Sequence, residues 1–172
     1  MASLLLALPM MLLAAAPASR TPVVVELYTS EGCSSCPSAD AALSRLTHAQ
    51  PVEGVELIPL GFHVDYWDDL GWKDPYASPA FSARQRRYAL DGDDNRVYTP
   101  QMVVDGERRF VGDESKARAQ AAAAAKQAKV PVRVTARVDR DVAVLAVRLD
   151  AAPPAGTGLW AALTRTGLVL PA

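Results

Sequence analysis

The sequence predicts an α/β protein with a central mixed sheet flanked by helices and a small C-terminal β appendage. Between Val23 and Leu60, a β-branched apolar run, a stretch with helical spacing and a second apolar run follow one another, which is typical of a strand–helix–strand unit. Further along, Asp105-Gly106 separates two apolar runs and indicates a hairpin. After Pro131, apolar and polar residues alternate as in a half-buried strand. These features predict one domain over residues 19–128 and a β-rich extension over 131–172.

The segment before the first strand has the composition of an export signal. Residues Ala2–Ala18 carry no charge and end in the small-residue pattern Ala16-Pro17-Ala18. This pattern predicts a signal peptide over residues 1–18. An uncleaved anchor is the alternative, although a run of this length containing Pro9 is short for crossing a bilayer. We therefore expect a periplasmic or secreted protein, with no stable membrane insertion after cleavage and with its cysteines in an oxidising compartment.

Local signals place the elements of the 19–128 domain. Pro37 suits the first turn of a helix, because its missing N–H needs no partner there. Ser78 and Asp113 are suited to cap two later helices. The tract Ala121–Ala125 is interpreted as part of a solvated, weakly packed helix. The predicted elements are strands at Val23–Tyr28, Val55–Leu60, Met102–Val104 and Arg108–Val111, helices at Ser38–Leu46, Pro79–Leu90 and Asp113–Ala128, and an ordered loop with short helical turns over Gly61–Pro79.

The extension is predicted to consist of strands. Val132–Val138 alternates cleanly, Val142–Leu149 does so less cleanly, and Gly158–Thr166 is a candidate third strand. Three strands are marginally stable unless they pack on the preceding domain. The chain stops soon after the third segment, and we expect the extension to be truncated.

Composition excludes several classes of function. The chain has 18 Lys and Arg against 19 Asp and Glu, a net charge of -1, whereas proteins that bind nucleic acid through phosphate contacts usually carry a basic excess. Half of its 172 residues are hydrophobic, which is enough for a folded core. Its two cysteines exclude a multi-bridge disulfide scaffold and, within one chain, an all-cysteine zinc or iron–sulfur site.

The sharpest motif is Gly32-Cys33-Ser34-Ser35-Cys36-Pro37, between a predicted strand and a predicted helix. Spacing of i,i+3 in a helix brings two thiols close enough to form a disulfide. The unpaired N–H groups of a helix N-terminus stabilise a thiolate. We therefore predict that Cys33 is the exposed nucleophile and Cys36 the more buried resolving thiol. The alternatives are an inert structural disulfide and a metal site with additional ligands from His63, Asp65 or His48.

A second signal is Thr99-Pro100, just before a predicted strand. Thioredoxin-like domains place a cis-proline at this point, beside their cysteine pair. The missing N–H prevents further strand pairing, and the residue before the proline offers backbone groups to an extended substrate. We predict a cis bond, with Pro100 in the catalytic site and Thr99 as a substrate-binding residue. An ordinary trans turn proline is the alternative.

A third group of residues follows the second predicted strand. The carboxyl end of a strand in an open α/β sheet faces the ligand crevice, so His63, Asp65 and Trp67 are candidate substrate-binding residues. Asp65 is a candidate proton relay for the resolving thiol, and His63 a candidate base or thiolate stabiliser. The alternative is that both only form hydrogen bonds that fix the Trp-rich loop.

Three blocks carry a family resemblance: Val25–Asp40, Phe62–Ala89 and Val97–Gly106, followed by Phe110–Gly112. In this order they are highly specific, and from Val23 to Ala128 the chain resembles the secreted thioredoxin-like proteins of domain-of-unknown-function family 1223. The resemblance implies a thioredoxin-like fold, export, and a Cys-Ser-Ser-Cys site opposite the proline of the Thr-Pro pair. It implies no substrate, because the family has none assigned.

Three functions fit these observations. The preferred one is an exported thiol–disulfide oxidoreductase acting on protein or small-molecule thiols and disulfides. The second is a non-catalytic thioredoxin-like binding module with a structural disulfide, using the aromatic loop Tyr66–Tyr76. The third is a periplasmic copper carrier, because thiolates favour Cu(I). We expect a monomer that needs no cofactor, holds no resident metal and has no nucleic-acid partner.

Overall fold

The structure is a computed structural model that describes residues 20–92, 95–140, 142–165 and 167. The predicted signal peptide lies outside these residues. Among the described residues, no helix is long and apolar enough to cross a membrane. The elements are β1 (Thr21–Thr29), α1 (Pro37–Ala49), β2 (Val55–His63), a 3₁₀ helix (Asp65–Leu70), α2 (Pro79–Leu90), β3 (Gln101–Val104), β4 (Arg108–Val111), α3 (Glu114–Ala124), β5 (Val132–Asp139) and β6 (Val142–Leu149).

The first four strands form one sheet in the order β2-β1-β3-β4. Strand β1 pairs in parallel with β2 and antiparallel with β3, and β3 pairs antiparallel with β4. The last two strands form a separate antiparallel sheet. The predicted class is confirmed: a central mixed sheet flanked by helices, with a small additional sheet.

Strand β1 is the centre of the domain because both of its faces are covered. On one face, Val23, Val25 and Leu27 are fully buried under α1 and α3. The interpretation of the alanine tract as solvated is wrong, since Ala121 and Ala124 are also fully buried. Their small side chains allow α3 to approach the sheet closely, so a segment that is weakly hydrophobic in sequence forms part of the core.

The opposite face of β1 carries Glu26 and Tyr28 and is covered by α2. Arg84 donates from Nε and Nη2 to Glu26 Oε1 at 2.8 and 2.5 Å, and Glu26 is 1% exposed. The ring of Tyr28 stacks on Phe62 at 5.4 Å between centroids. This face therefore combines aromatic packing with a buried ion pair.

Several predicted boundaries need correction. Strand β2 runs to His63 rather than Leu60, because it pairs with β1 up to Thr29. Helix α3 ends at Ala124 rather than Ala128. The predicted third strand is wrong over residues 158–165, which contain no strand, and Thr166 lies outside the described residues.

Local signals in loops and caps were more accurate. The hairpin is confirmed, with positive φ at Asp105 and Gly106, as a tight primed turn requires. Ser78 and Asp113 cap α2 and α3 by accepting from the backbone N–H groups of Ala80 and Lys116. The loop after β2 contains the 3₁₀ helix, a short helical turn of the kind predicted.

The β5–β6 hairpin leaves its apolar side chains exposed. Val134 pairs with Val147 and Ala136 with Leu145 on one face, and Val134 and Leu145 are 57% and 48% exposed. The segment after the hairpin contacts α2 through Trp160, whose ring lies 5.2 Å from the Arg87 guanidinium.

Candidate functional site

The two cysteines form a disulfide at the junction of β1 and α1. Cys36 is the N-cap residue, and its carbonyl accepts from the Ala39 and Asp40 N–H groups at 2.8 and 3.1 Å. Cys33 lies in the preceding turn, closed by the Cys36 N–H on the Cys33 carbonyl at 3.1 Å. Helix α1 begins at Pro37, one residue before the predicted Ser38, and Cys33 precedes it. Cys36, rather than Cys33, sits at the helix end.

Hydrogen bonding distinguishes the two sulfurs more clearly than exposure does. In the disulfide form Cys33 is 2% exposed and Cys36 0%, so exposure hardly separates them; the predicted accessibility of Cys33 concerns the reduced protein. The Thr99 hydroxyl donates to Cys33 Sγ at 3.2 Å, and the Ser35 hydroxyl lies 3.5 Å from the same atom. In the described part of the structure, the two hydroxyl contacts to a cysteine sulfur are therefore both made to Cys33 and not to Cys36.

The Thr99–Pro100 bond is cis, as predicted. Pro100 is buried, and its carbonyl accepts from the Gly112 N–H at 3.0 Å. A Cβ added at Gly112 would lie 2.5 Å from Ala39 Cβ and 3.2 Å from Pro100 Cβ. Gly112 therefore allows the loop that carries Thr99-Pro100, here called the proline loop, to approach the first turn of α1. Gly112 lies in one of the family blocks, but its sequence neighbours do not indicate this role.

Trp67 lies on the 3₁₀ helix and contacts the site through its ring nitrogen. Its Nε1–H donates to Thr99 Oγ1 at 2.9 Å. A Cβ at Gly32 would lie 3.4 Å from Trp67 Cβ, so the residue before Cys33 also packs closely on this tryptophan. The structure thus brings Trp67, Thr99 and Cys33 together.

Asp65 and His63 have separate partners. Asp65 Oδ1 accepts from the Ser82 hydroxyl at 2.5 Å, and the Asp65 N–H donates to Ser82 Oγ at 3.1 Å. These contacts join the 3₁₀ helix to α2. They match the alternative in which Asp65 fixes the loop, and the described contacts do not link it to the cysteines.

His63 pairs with a buried carboxylate that the sequence analysis missed. Its Nδ1 lies 2.7 Å from Asp74 Oδ2, and Asp74 also accepts from the Glu31 and Tyr76 N–H groups at 2.8 and 2.9 Å. Although burial opposes it, the Glu31 N–H and the His63 ring hold the pKa of Asp74 below its usual value. Asp74 therefore ties the loop before Cys33 to the end of β2.

A second acid missed by the sequence analysis is Asp40, one turn after Cys36 on α1. Together with Thr29 and His63 it lines a cavity of about 450 Å³. Burial raises the pKa of Asp40; the Thr29 hydroxyl and the His63 ring oppose this rise, and the Asp74 carboxylate adds to it. The i,i+4 spacing from Cys36 was the sequence signal available for this residue.

The described residues contain no group of three or more His, Cys, Asp or Glu arranged to hold a metal ion. His48, one of the ligands considered from the sequence, is exposed in the last turn of α1.

Comparison with known proteins identifies the family to which the chain belongs. The model of the family described as protein of unknown function, DUF1223, matches residues 24–171. The chain belongs to this family. A crystal structure of a structural-genomics target protein from Agrobacterium tumefaciens is similar to it, with 34% identity and a TM-score of 0.62 over 72% of this chain. This chain matches 54% of that chain, about half its length. No curated protein is similar enough to the chain to count as a match.

Proposed function

We propose that this DUF1223 protein is an exported thiol–disulfide oxidoreductase with a thioredoxin-like architecture, in which Cys33 and Cys36 are the reacting pair. The observation that carries the proposal is the hydrogen bond from Thr99 Oγ1 to Cys33 Sγ at 3.2 Å. A sulfur in a purely structural disulfide needs no hydrogen-bond donor. A sulfur that becomes a thiolate gains a charge-assisted hydrogen bond from the same hydroxyl.

The exchange proceeds in two balanced steps. The reduced Cys33 thiolate attacks one sulfur of a substrate disulfide, a Cys33–substrate bond forms, and the other substrate sulfur leaves as a thiolate that takes up a proton. Cys36, deprotonated, then attacks Cys33 Sγ and releases the second substrate thiolate. The substrate gains two electrons and the Cys33–Cys36 disulfide re-forms. The reverse sequence oxidises a substrate dithiol.

Asp40 is the proposed acceptor for the Cys36 proton. It follows Cys36 by one turn on the same helix, and burial raises its pKa above that of an ordinary carboxyl. A base with a raised pKa is better matched to accepting a proton near neutral pH. The cavity lined by Asp40 and His63 has space for water, and we propose that one water molecule relays the proton from Cys36 to Asp40.

Export is part of the proposal, because it sets the conditions under which such a pair operates. The uncharged segment Ala2–Ala18 supports delivery to the periplasm or the exterior. There a cysteine pair exchanges with protein or small-molecule thiols and disulfides rather than being held reduced. Cell fractionation with an antibody to the protein tests this location directly, and recovery in the cytoplasm alone would contradict it.

The decisive experiment is trapping of covalent intermediates in cells. A Cys36→Ala variant, made with its own N-terminal segment, retains the attacking sulfur but cannot resolve a mixed disulfide. We expect it to accumulate adducts on non-reducing gels that disappear with dithiothreitol. The matched control is Cys33→Ala, which retains one thiol and should accumulate few adducts. Equal trapping by both variants, or none by either, would contradict the proposal and favour a structural disulfide.

The order of attack has its own test on the reduced protein. Iodoacetamide alkylation across pH, followed by peptide mapping, should modify Cys33 before Cys36 below neutral pH, because the Thr99 hydroxyl stabilises the Cys33 thiolate. Faster alkylation of Cys36 would reverse the assignment.

A further inference from the structure

The described structure contains a two-step hydrogen-bond chain that ends on Cys33. The Trp67 indole Nε1–H donates to Thr99 Oγ1 at 2.9 Å, and Thr99 Oγ1 donates to Cys33 Sγ at 3.2 Å. Trp67 and Thr99 are 32 residues apart in sequence, and Thr99 and Cys33 are 66 apart. These two hydrogen bonds therefore form only when three segments are docked together: the 3₁₀ helix, the loop that carries Thr99-Pro100, and the turn Cys33–Cys36.

The donors and acceptors in this chain have a fixed direction. An indole N–H is a donor only, so Trp67 occupies a lone pair of the Thr99 oxygen. The one hydroxyl hydrogen of Thr99 is then free to point at another acceptor, which is Cys33 Sγ. The Tyr66 hydroxyl also hydrogen-bonds to Thr99 and donates its own hydrogen to Gln85 Oε1 at 3.2 Å, so its oxygen is a second acceptor near Thr99. Trp67 thus favours rotamers in which Thr99 donates away from the indole, towards the side where Cys33 Sγ lies at 3.2 Å.

We propose that Trp67 is a positioning residue that tunes the redox potential of the Cys33–Cys36 pair through the Thr99 hydroxyl. This inference rests on the proposed function for its biological meaning, but the potential itself is a property of the pair. The Thr99 hydrogen bond is stronger when Cys33 is a thiolate than when it is in the disulfide. Trp67 therefore stabilises the reduced form relative to the oxidised form and makes the pair more oxidising.

Packing explains why this residue is a tryptophan. Trp67 packs against the buried cluster Tyr28, Val64 and Val103, which fixes the position of its ring. A phenylalanine at position 67 retains an aromatic ring for this cluster and lacks the N–H. The substitution Trp67→Phe therefore separates the hydrogen bond from most of the packing.

The test is redox equilibration of the purified protein with dithiothreitol or glutathione buffers, read by the fraction of free thiol. We expect Trp67→Phe to shift the equilibrium about tenfold towards the disulfide, which is about 30 mV for a two-electron couple. Thr99→Val, which loses the donor itself, should shift it at least as far, and Thr99→Ser should stay close to wild type. The matched control is Trp72→Phe, the same change at a 53% exposed residue of the same loop.

The double variant Trp67→Phe/Thr99→Val decides whether Trp67 acts through Thr99. If it does, the double variant has the potential of Thr99→Val alone, because Trp67→Phe can no longer affect a hydrogen bond to Cys33 that Thr99→Val has already removed. Additive shifts, or a wild-type potential in Trp67→Phe, would overturn the inference. Thermal unfolding of each oxidised variant shows whether it is folded. If Trp67→Phe does not fold, Thr99→Val becomes the deciding variant, and a wild-type potential in Thr99→Val would overturn the inference. Failure of the trapping experiment would reject the oxidoreductase and leave this result standing.

Discussion

The contact between Gly112 and its neighbours gives a prediction that the geometry specifies closely. Replacing Gly112 with Ala places a methyl group 2.5 Å from Ala39 Cβ and 3.2 Å from Pro100 Cβ. Unstrained carbon–carbon contacts lie at about 3.5–4.0 Å, so the proline loop and α1 must separate by about 1 Å. Both neighbours are stiff, one being a helix residue and the other a proline ring.

The expected cost follows from overpacking of a dense interior. Such insertions cost about 1–3 kcal/mol, and the stiffness of this contact favours the upper part of the range. The reduced freedom of the unfolded chain offsets about 0.4–1 kcal/mol of it. We therefore expect Gly112→Ala to lose about 2 kcal/mol of unfolding free energy. Gly61→Ala is the matched control, because the closest atom to its added Cβ is Leu43 Cδ2 at 3.8 Å.

Urea unfolding of the oxidised protein, followed by tryptophan fluorescence, measures the effect. Gly61→Ala should be as stable as the wild type or slightly more stable. Adding Ala39→Gly to Gly112→Ala removes the clashing methyl group, so the two changes should show a favourable coupling of about 1 kcal/mol or more. If the free energy of unfolding of Gly112→Ala lies within about 0.5 kcal/mol of the wild-type value, the prediction is refuted, because the proline loop and α1 would then accommodate the added methyl group without strain.

Three further predictions concern buried charge. The pKa of Asp74 is lowered, so its contribution to stability is present above the unfolded value of 3.8 and lost as pH falls through the folded pKa. Asp74→Asn should therefore flatten the loss of unfolding free energy in acid titration; an unchanged slope would contradict this. The pKa of Asp40 is raised, so its ionisation costs stability above the folded pKa. Asp40→Asn should be more stable at pH 7 in urea unfolding, yet slower in mixed-disulfide resolution by Cys36 in stopped-flow assays; a less stable or equally fast variant counts against it. Arg84→Met strands the buried Glu26 carboxylate and should cost about 3 kcal/mol in urea unfolding, partly recovered by adding Glu26→Gln; lack of recovery would refute this.

The predictable parts of the fold were those specified by neighbours in sequence. The Asp105-Gly106 turn and the caps at Ser78 and Asp113 depend on a few adjacent residues, and each was confirmed. The burial of Ala121 was not predictable in this way. Alanine carries little hydrophobic signal, and its role depends on how closely a helix can approach a sheet whose position is set elsewhere.

The C-terminal extension is a second case in which a local sequence pattern did not determine the structure. The segment from Gly158 onward has apolar residues at strand-like spacing, yet the described part forms no strand. Trp160 lies instead over the guanidinium groups of Arg84 and Arg87. A tryptophan ring binds a cation as readily as it pairs across a sheet, so an apolar pattern alone does not decide between them.

The site itself was only partly readable from the sequence. The Cys33–Cys36 disulfide and the cis Thr99-Pro100 bond were predictable because each depends on particular residue types at a fixed short spacing. The expected source of thiolate stabilisation was the helix end, but Cys36 occupies the cap and Cys33 precedes it. The donor to Cys33 is instead the Thr99 side chain, oriented by Trp67 from a third segment. Backbone N–H groups at a helix end stabilise a thiolate whenever the helix is formed. A side-chain donor does so only when its loop is docked, so the reactivity that we propose for Cys33 depends on the packing of the whole sheet edge.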